Sequence, residues 1–312
     1  MNHRALGSIA VAAAIAFARP VAFLAQEAGK AAEILAATRK AIGEKKLDTL
    51  ETFSVQSAVQ RNVGSMQMNA DVEILLDLPD KYVRSEVMNG GGNMMVRGGG
   101  TTGFNGDAPI RKADAGGVPG GGMVFRMTGP GGSFSNAPGE KPTPEQQEEM
   151  NRTVVRNERA EASRLMLGWF AMAHAALKAQ YAYAGEAESP DGKAYVIDVK
   201  GADNFAARLF IDEQTHLPLM VTYKAPQPRV VQMNRGERRG ADLQKQMKDL
   251  QNQPPPPMAD YTLYFDDWRD ADGVKFPFKM RRAAAGDTTE EWTIDKVKVN
   301  PKIDPKRFSP EN

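Results

Sequence analysis

Residues 66–78 read Met-Gln-Met-Asn-Ala-Asp-Val-Glu-Ile-Leu-Leu-Asp-Leu, with an apolar side chain at every even position. Every odd position except Leu75 is polar. A period of two held this long predicts a β-strand with one apolar face, and it does not fit a helix. Leu78-Pro79-Asp80 is a turn signal, and Lys81–Met88 returns from it as a second strand. Ahead of this pair, Thr52–Arg61 places Phe53, Val55 and Val59 on one side. Asn93–Arg97 and Thr101–Asn105 are weaker strand signals.

Two stretches carry the helical period. Ala28–Gly43 puts Ile34, Leu35, Thr38 and Ile42 on one face and stops at Gly43. Thr143-Pro144-Glu145-Gln146 opens a second helix, with Thr at the N-cap, Pro in the first turn and Gln three residues on. It is expected to run to Lys178 with a break near Gly168. Its second half, Leu165–Leu177, is apolar all round except at Gly168 and His174, which predicts burial in protein.

Strand signals resume in pairs after that helix. Tyr181–Ala187 turns into Lys193–Lys200, Phe205–Ile211 into Leu217–Tyr223, Tyr261–Trp268 into Val274–Arg282 at Asp272-Gly273, and Gly286-Asp287 leads into Thr289–Val299. Two inserts interrupt the order. A Gly-rich stretch, 90–139, has the composition of a flexible loop, and it lacks the spacing of a phosphate cradle. A Pro-rich basic insert, 225–259, holds a candidate solvated helix at Gly240–Gln251. The tail Asn300–Asn312 is expected to be extended.

Adjacent hairpins predict an antiparallel sheet, and a sheet with this many strands must curl. The expected fold class is therefore mainly β (α+β): a curved antiparallel sheet forming an incomplete β-barrel around a long apolar helix, with an N-terminal helix. Arg4 followed by the apolar run Leu6–Ala18 predicts a signal peptide, residues 1–25, and export. Residues 26–312 are expected to form a single domain.

Composition narrows the chemistry. The chain has 40 basic and 39 acidic residues, so no global field favours nucleic acid. With no Cys, disulfides, thiolate nucleophiles and Cys-bound zinc are excluded. Outside the signal only His174 and His216 remain, which gives neither a metal-binding pair nor an obvious Ser-His-Asp order. His174 reads as a core residue and His216 as an exposed turn residue. Asp266, Asp267, Asp270 and Asp272 gather at one hairpin, but not with EF-hand spacing. No catalytic residue, metal or cofactor is expected.

The order of motifs resembles the periplasmic outer-membrane lipoprotein carriers, the LolA/LolB-like fold. The resemblance is carried by Ile34-Leu35-Ala36 through Ala41-Ile42-Gly43, Leu78-Pro79-Asp80-Lys81-Tyr82-Val83-Arg84-Ser85-Glu86 and Gly103-Phe104-Asn105-Gly106. It continues in Leu209-Phe210-Ile211-Asp212, His216-Leu217-Pro218, Asp267-Trp268-Arg269, Asp272-Gly273-Val274-Lys275-Phe276-Pro277 and Phe308-Ser309-Pro310. It implies a half-barrel whose concave apolar face holds acyl chains, in an exported, non-enzymatic protein without a cofactor. The two inserts and the bulky Leu165–Leu177 helix depart from that pattern.

The resemblance points to a lipid- or lipoprotein-binding carrier, periplasmic, soluble and monomeric. Its cavity wall would be Met66, Met68, Val72, Ile74 and Leu76 on the sheet and Leu165, Met166, Trp169 and Phe170 on the helix. The expected partners are a lipid or acylated lipoprotein and a membrane-associated protein, with no nucleic acid. The alternative is an envelope protein-interaction or stress-sensing module on the same fold. There the helix fills the cavity and the inserts carry the function.

Overall fold

A computed structural model describes residues 21–63, 66–89, 98–113, 124–128, 143–190, 192–227, 229–233, 254 and 256–310. The predicted strands that fall on described residues are present, most of them longer than expected: β1 (Thr52–Val63), β2 (Met66–Asp77), β3 (Lys81–Asn89) and β4 (Gly98–Asn105). The Gly-rich stretch also contains β5 (Ala108–Ala113) and β6 (Val124–Thr128), which sequence periodicity did not mark. After the long helix come β7 (Gln180–Ser189), β8 (Gly192–Lys200), β9 (Ala206–Asp212) and β10 (Pro218–Pro226). β11 (Arg229–Met233) lies in the basic insert, and β12 (Met258–Ala271), β13 (Val274–Ala284) and β14 (Asp287–Val299) complete the set. Asn93–Arg97, Gly240–Gln251 and the expected signal run Leu6–Ala18 lie outside the described residues.

Twelve strands form one antiparallel sheet in the order β5-β4-β3-β2-β1-β14-β13-β12-β10-β9-β8-β7. β6 and β11 pair separately. The first and last long strands meet in the middle, with Phe53 opposite Val299 and Val59 opposite Trp292. The sheet is open, with β5 and β7 at its edges. Its tight turns follow turn chemistry: Asp272 (φ 55) and Gly273 (φ 82) take the left-handed pair that suits a two-residue hairpin. The next hairpin turns at Ala285-Gly286, one residue earlier than expected.

The N-terminal helix α1 (Val21–Ile42) buries Ile34, Leu35, Thr38 and Ile42 and packs against β7 and β13. A short helix, α2 (Glu44–Asp48), follows Gly43, whose backbone passes so close to Gly273 that a Cβ would lie 2.7 Å from its carbonyl oxygen. The long helix α3 (Pro144–Phe170) begins with the predicted capping box between Thr143 and Gln146.

Its end differs from expectation. α3 passes through Gly168 without a break and stops at Ala171, whose φ of 52 is left-handed. The amide of Ala171 donates back to Leu167, and the amide of His174 donates to the Ser163 hydroxyl. These contacts turn the chain away before Leu177, which sits in a separate 3-10 turn, Ala175–Leu177. Apolar composition favours a longer helix, but the tertiary contacts override it.

α3 occupies the concave side. Arg159 lies over Phe104 of β4, and Arg164, five residues along, lies over Tyr223 of β10. Five helical residues advance only about 7.5 Å. On a flat sheet β4 and β10, seven spacings apart, would be about 34 Å from one another. The sheet therefore curls around the helix, as an incomplete barrel. The tail is not simply extended. Pro305–Phe308 forms a 3-10 turn that seats Phe308 against Leu75, Val83 and Ile110 on the convex face. No helix among the described residues is long and apolar enough to cross a membrane.

Candidate functional site

Seven of the nine residues proposed as a cavity wall converge, and they are core. Val72, Ile74 and Leu76 on β2 are at most 2% exposed, as are Leu165, Met166, Trp169 and Phe170 on α3. All seven belong to one apolar cluster. Phe53 joins them at its centre, edge-on to Phe170 at 4.9 Å and tilted to Phe276 at 5.3 Å. Trp169 satisfies its indole N–H on the Met280 sulfur at 3.2 Å. Met68 pairs with Arg61, is only partly buried and lies outside the cluster; Met66 pairs with Val63 at the end of β2. α3 fills the centre of the concave face.

Beside this apolar zone the concave face changes character. Inward positions of β1 run Phe53, Val55, Ser57, Val59 and then Arg61; β3 presents Tyr82, Arg84 and Glu86; β13 presents Met280 and Arg282; β14 presents Trp292 and Glu290. From the helix, Glu158, Glu161 and Arg164 meet them on successive turns, all at most 8% exposed. Arg61 grips both oxygens of Glu86, the Nη2–Oε2 distance being 2.7 Å, and donates through Nε to Glu290 at 2.8 Å. Arg282 bonds Glu161 and the Tyr223 hydroxyl, the latter at 2.9 Å, and its Nε lies 3.3 Å from Glu290.

These pairs set the charge states. Burial works against ionisation, yet Arg282 and Arg61 hold the Glu290 carboxyl far below its ordinary range. Glu161 is likewise lowered, by Arg282 and Arg164, against its burial. Glu158 behaves oppositely. It has no ion-pair contact among the described residues, only Thr102 as a hydrogen-bond partner, so burial and the nearby Glu161 push it up to about 7. The sequence reading missed this band. Its signal is a charged residue at the core parity of a strand: Arg61 after Val59, Arg84 and Glu86 after Tyr82, Arg282 after Met280.

The histidines do no visible chemistry together. His174 is buried edge-on to Phe104 at 5.1 Å, and its Nδ1 accepts from the Ala176 amide. Burial and Arg159 push it down to about 4. His216 is half-buried rather than exposed, stacked on Tyr195 at 6.4 Å. Asp267 is engaged by Arg269, and Asp270 accepts from the Gly273 amide. Among the described residues no group of three or more His, Asp or Glu could hold a metal ion.

No protein-family model and no curated protein matches the chain. Among solved structures it is similar to a LolA superfamily protein from Nitrosomonas europaea, at 11% identity and a TM-score of 0.45 over 89% of this chain and 97% of that one. It is similar to a putative outer membrane lipoprotein-sorting protein domain from Vibrio parahaemolyticus, at 10% identity and 0.42 over 90% and 97%. A DUF1329 family protein from Desulfovibrio piger matches at 8% identity and 0.41 over 92% and 97%. The likeness is one of overall fold.

Proposed function

We propose that this chain is a non-enzymatic, exported lipid- or lipoprotein-binding protein of the cell envelope. In its ligand-free form helix α3 occupies the place of the acyl chain. The observation that carries this reading is the divided hold of α3. Leu165–Phe170 is held by apolar burial with a single bond from the Trp169 indole to the Met280 sulfur, whereas one turn earlier Glu161 is tied to Arg282 of β13 by an ion pair.

Magnitudes make an exchange reasonable. Burying Leu165, Met166, Leu167, Trp169 and Phe170 is worth roughly 8–15 kcal/mol, at about 1.5–3 for each side chain. A sixteen-carbon acyl chain, at about 0.8 kcal/mol per methylene, offers about 12 kcal/mol. An incoming chain can therefore replace the helix at little net hydrophobic cost.

Native mass spectrometry of the exported chain, followed by organic extraction, tests the reading. Added masses that extract as acyl lipid support it. A bare polypeptide mass that stays unchanged after incubation with lipid sinks it. That second outcome would favour the other reading, an envelope protein-interaction module with a permanently filled core. The near-complete burial of Val72, Ile74, Leu76 and Phe170 is the observation on its side. Val72→Asp is not a usable probe of the pocket, because a carboxylate at a 2% exposed core position would unfold the protein before it repelled a lipid.

A further inference from the structure

The ionic band is not internally matched. Arg61 and Arg282 between them engage Glu86, Glu161 and Glu290. Two other guanidiniums on the concave side have only a long contact to a carboxylate that is already shared with Arg61 or Arg282. Among the described residues Arg84, its side chain 13% exposed, comes within ion-pair distance only of Glu86, at 3.5 Å, and lies over the Trp292 ring at 4.9 Å. Among the described residues Arg164, 8% exposed, comes within ion-pair distance only of Glu161, at 3.5 Å, lies over Tyr223 at 4.1 Å, and its buried Nε has no partner. Arg111 on β5 makes no ion pair among the described residues and feels only Glu158. Glu158, the fourth carboxylate, holds its proton near neutrality.

Five arginines thus face four carboxylates, one of which, Glu158, is pushed up to about 7 by its burial and by Glu161. Buried charge without a counter-charge is costly, so such a surplus favours an incoming anion. A guanidinium held flat on an aromatic ring keeps its N–H edge free for a planar or tetrahedral oxyanion.

We propose that Arg84 and Arg164 form a receptor for a phosphate group on the concave side of the half-barrel. The occupant would be the phosphate head of an amphiphile whose acyl chain lies along β1, β2 and β14. This rests on the acyl-chain reading above and adds a head to the tail; the same arginines would take free phosphate more weakly.

The test is calorimetric titration of the whole exported chain with three probes: dodecyl phosphate, dodecyl maltoside and inorganic phosphate, the detergents kept below micelle formation. The expected result is tight, salt-sensitive binding of dodecyl phosphate. It should weaken about tenfold or more in Arg84→Gln and in Arg164→Gln, since a hydrogen bond to a charged group is lost in each. Inorganic phosphate should bind weakly and with the same dependence.

If both detergents bind equally and neither variant changes them, the phosphate receptor is refuted and the acyl-chain reading survives. Should inorganic phosphate bind through Arg84 and Arg164 with no gain from the dodecyl chain, the receptor stands and the acyl-chain reading fails. No binding of either phosphate probe by the wild-type chain overturns the proposal outright. That measurement needs no variant, so a misfolded Arg164→Gln cannot rescue the idea. Arg84→Lys, which keeps charge but loses the fork, should fall between wild type and Arg84→Gln.

Discussion

Gly168 of α3 lies directly against the ring of Phe265 on β12, so closely that a methyl group at Gly168 would overlap the ring. The helix therefore tolerates a residue of poor helical propensity because only a missing side chain lets α3 seat against the sheet. Gly168→Ala should gain about 1 kcal/mol of propensity and lose about 1–3 kcal/mol to overpacking. We expect net destabilisation, read as a lower urea midpoint with unchanged slope. Phe265→Leu in the Gly168→Ala background should restore part of the loss, since contacting sites are coupled. A Gly168→Ala protein more stable than wild type would refute this account of the packing.

Arg61 is bound to Glu86 and Glu290 with its side chain 10% exposed. Arg61→Met removes it and leaves Glu86 with only the 3.5 Å contact of Arg84. The expected cost is about 3–5 kcal/mol, as for breaking a buried pair from one side. Adding Glu86→Gln should recover part of that, because the poorly paired buried charge is then gone. Urea unfolding of both variants checks it; a double variant that loses the sum of the two single losses would show that the pair is not a unit.

Asn300 closes the seam where β14 meets β1. Its φ is 51, its Oδ1 accepts from the amides of Glu51 and Thr52, and its Nδ2 donates to the Thr49 carbonyl. Asn300→Gly keeps the left-handed backbone and loses these bonds; Asn300→Ala loses both. The alanine variant should be the less stable by about 0.5–1 kcal/mol. Equal thermal midpoints for the two would mean that the backbone conformation contributes nothing.

Much of this architecture is legible in the chain because strands with one buried face must alternate. β1, β2 and β3 follow directly from Phe53–Val59, the even positions of 66–78, and Tyr82. Even the one violation was informative: Leu75 points outward because Val83, Ile110 and Phe308 cover it there. β5 escaped notice because Ala108–Ala113 carries only Ile110 as a large apolar residue, and its partner β4 is half glycine. The end of α3 escaped because Ala171 has no sequence mark of a left-handed cap; its geometry depends on Ser163 receiving the His174 amide. The ionic band was hidden for another reason. Arg61 and Glu290 are 229 residues apart, and only the β1–β14 pairing makes a charged residue at a core position intelligible.

Glu158 and His174 should oppose one another in the pH dependence of stability. Glu158 rises in the folded state from its ordinary 4.5 to about 7, so the native protein holds that proton longer than the unfolded chain. Its stabilising contribution is complete below pH 4.5 and is lost as pH rises to about 7, by up to about 3 kcal/mol. His174 falls from 6.5 to about 4, so the unfolded chain takes its proton first. Its contribution is complete above pH 6.5 and is lost as pH falls towards 4, by a similar amount. In the wild type the two slopes nearly cancel between pH 4.5 and 6.5. Below that window the lowered Glu290 and Glu161 take over, and stability falls with acid. Glu158→Gln should therefore become more stable from pH 4.5 to 6.5, and His174→Gln less stable over the same range. Urea midpoints of the three proteins across that range decide it, and slopes of the same sign in both variants would be incompatible with the burial of either group as described.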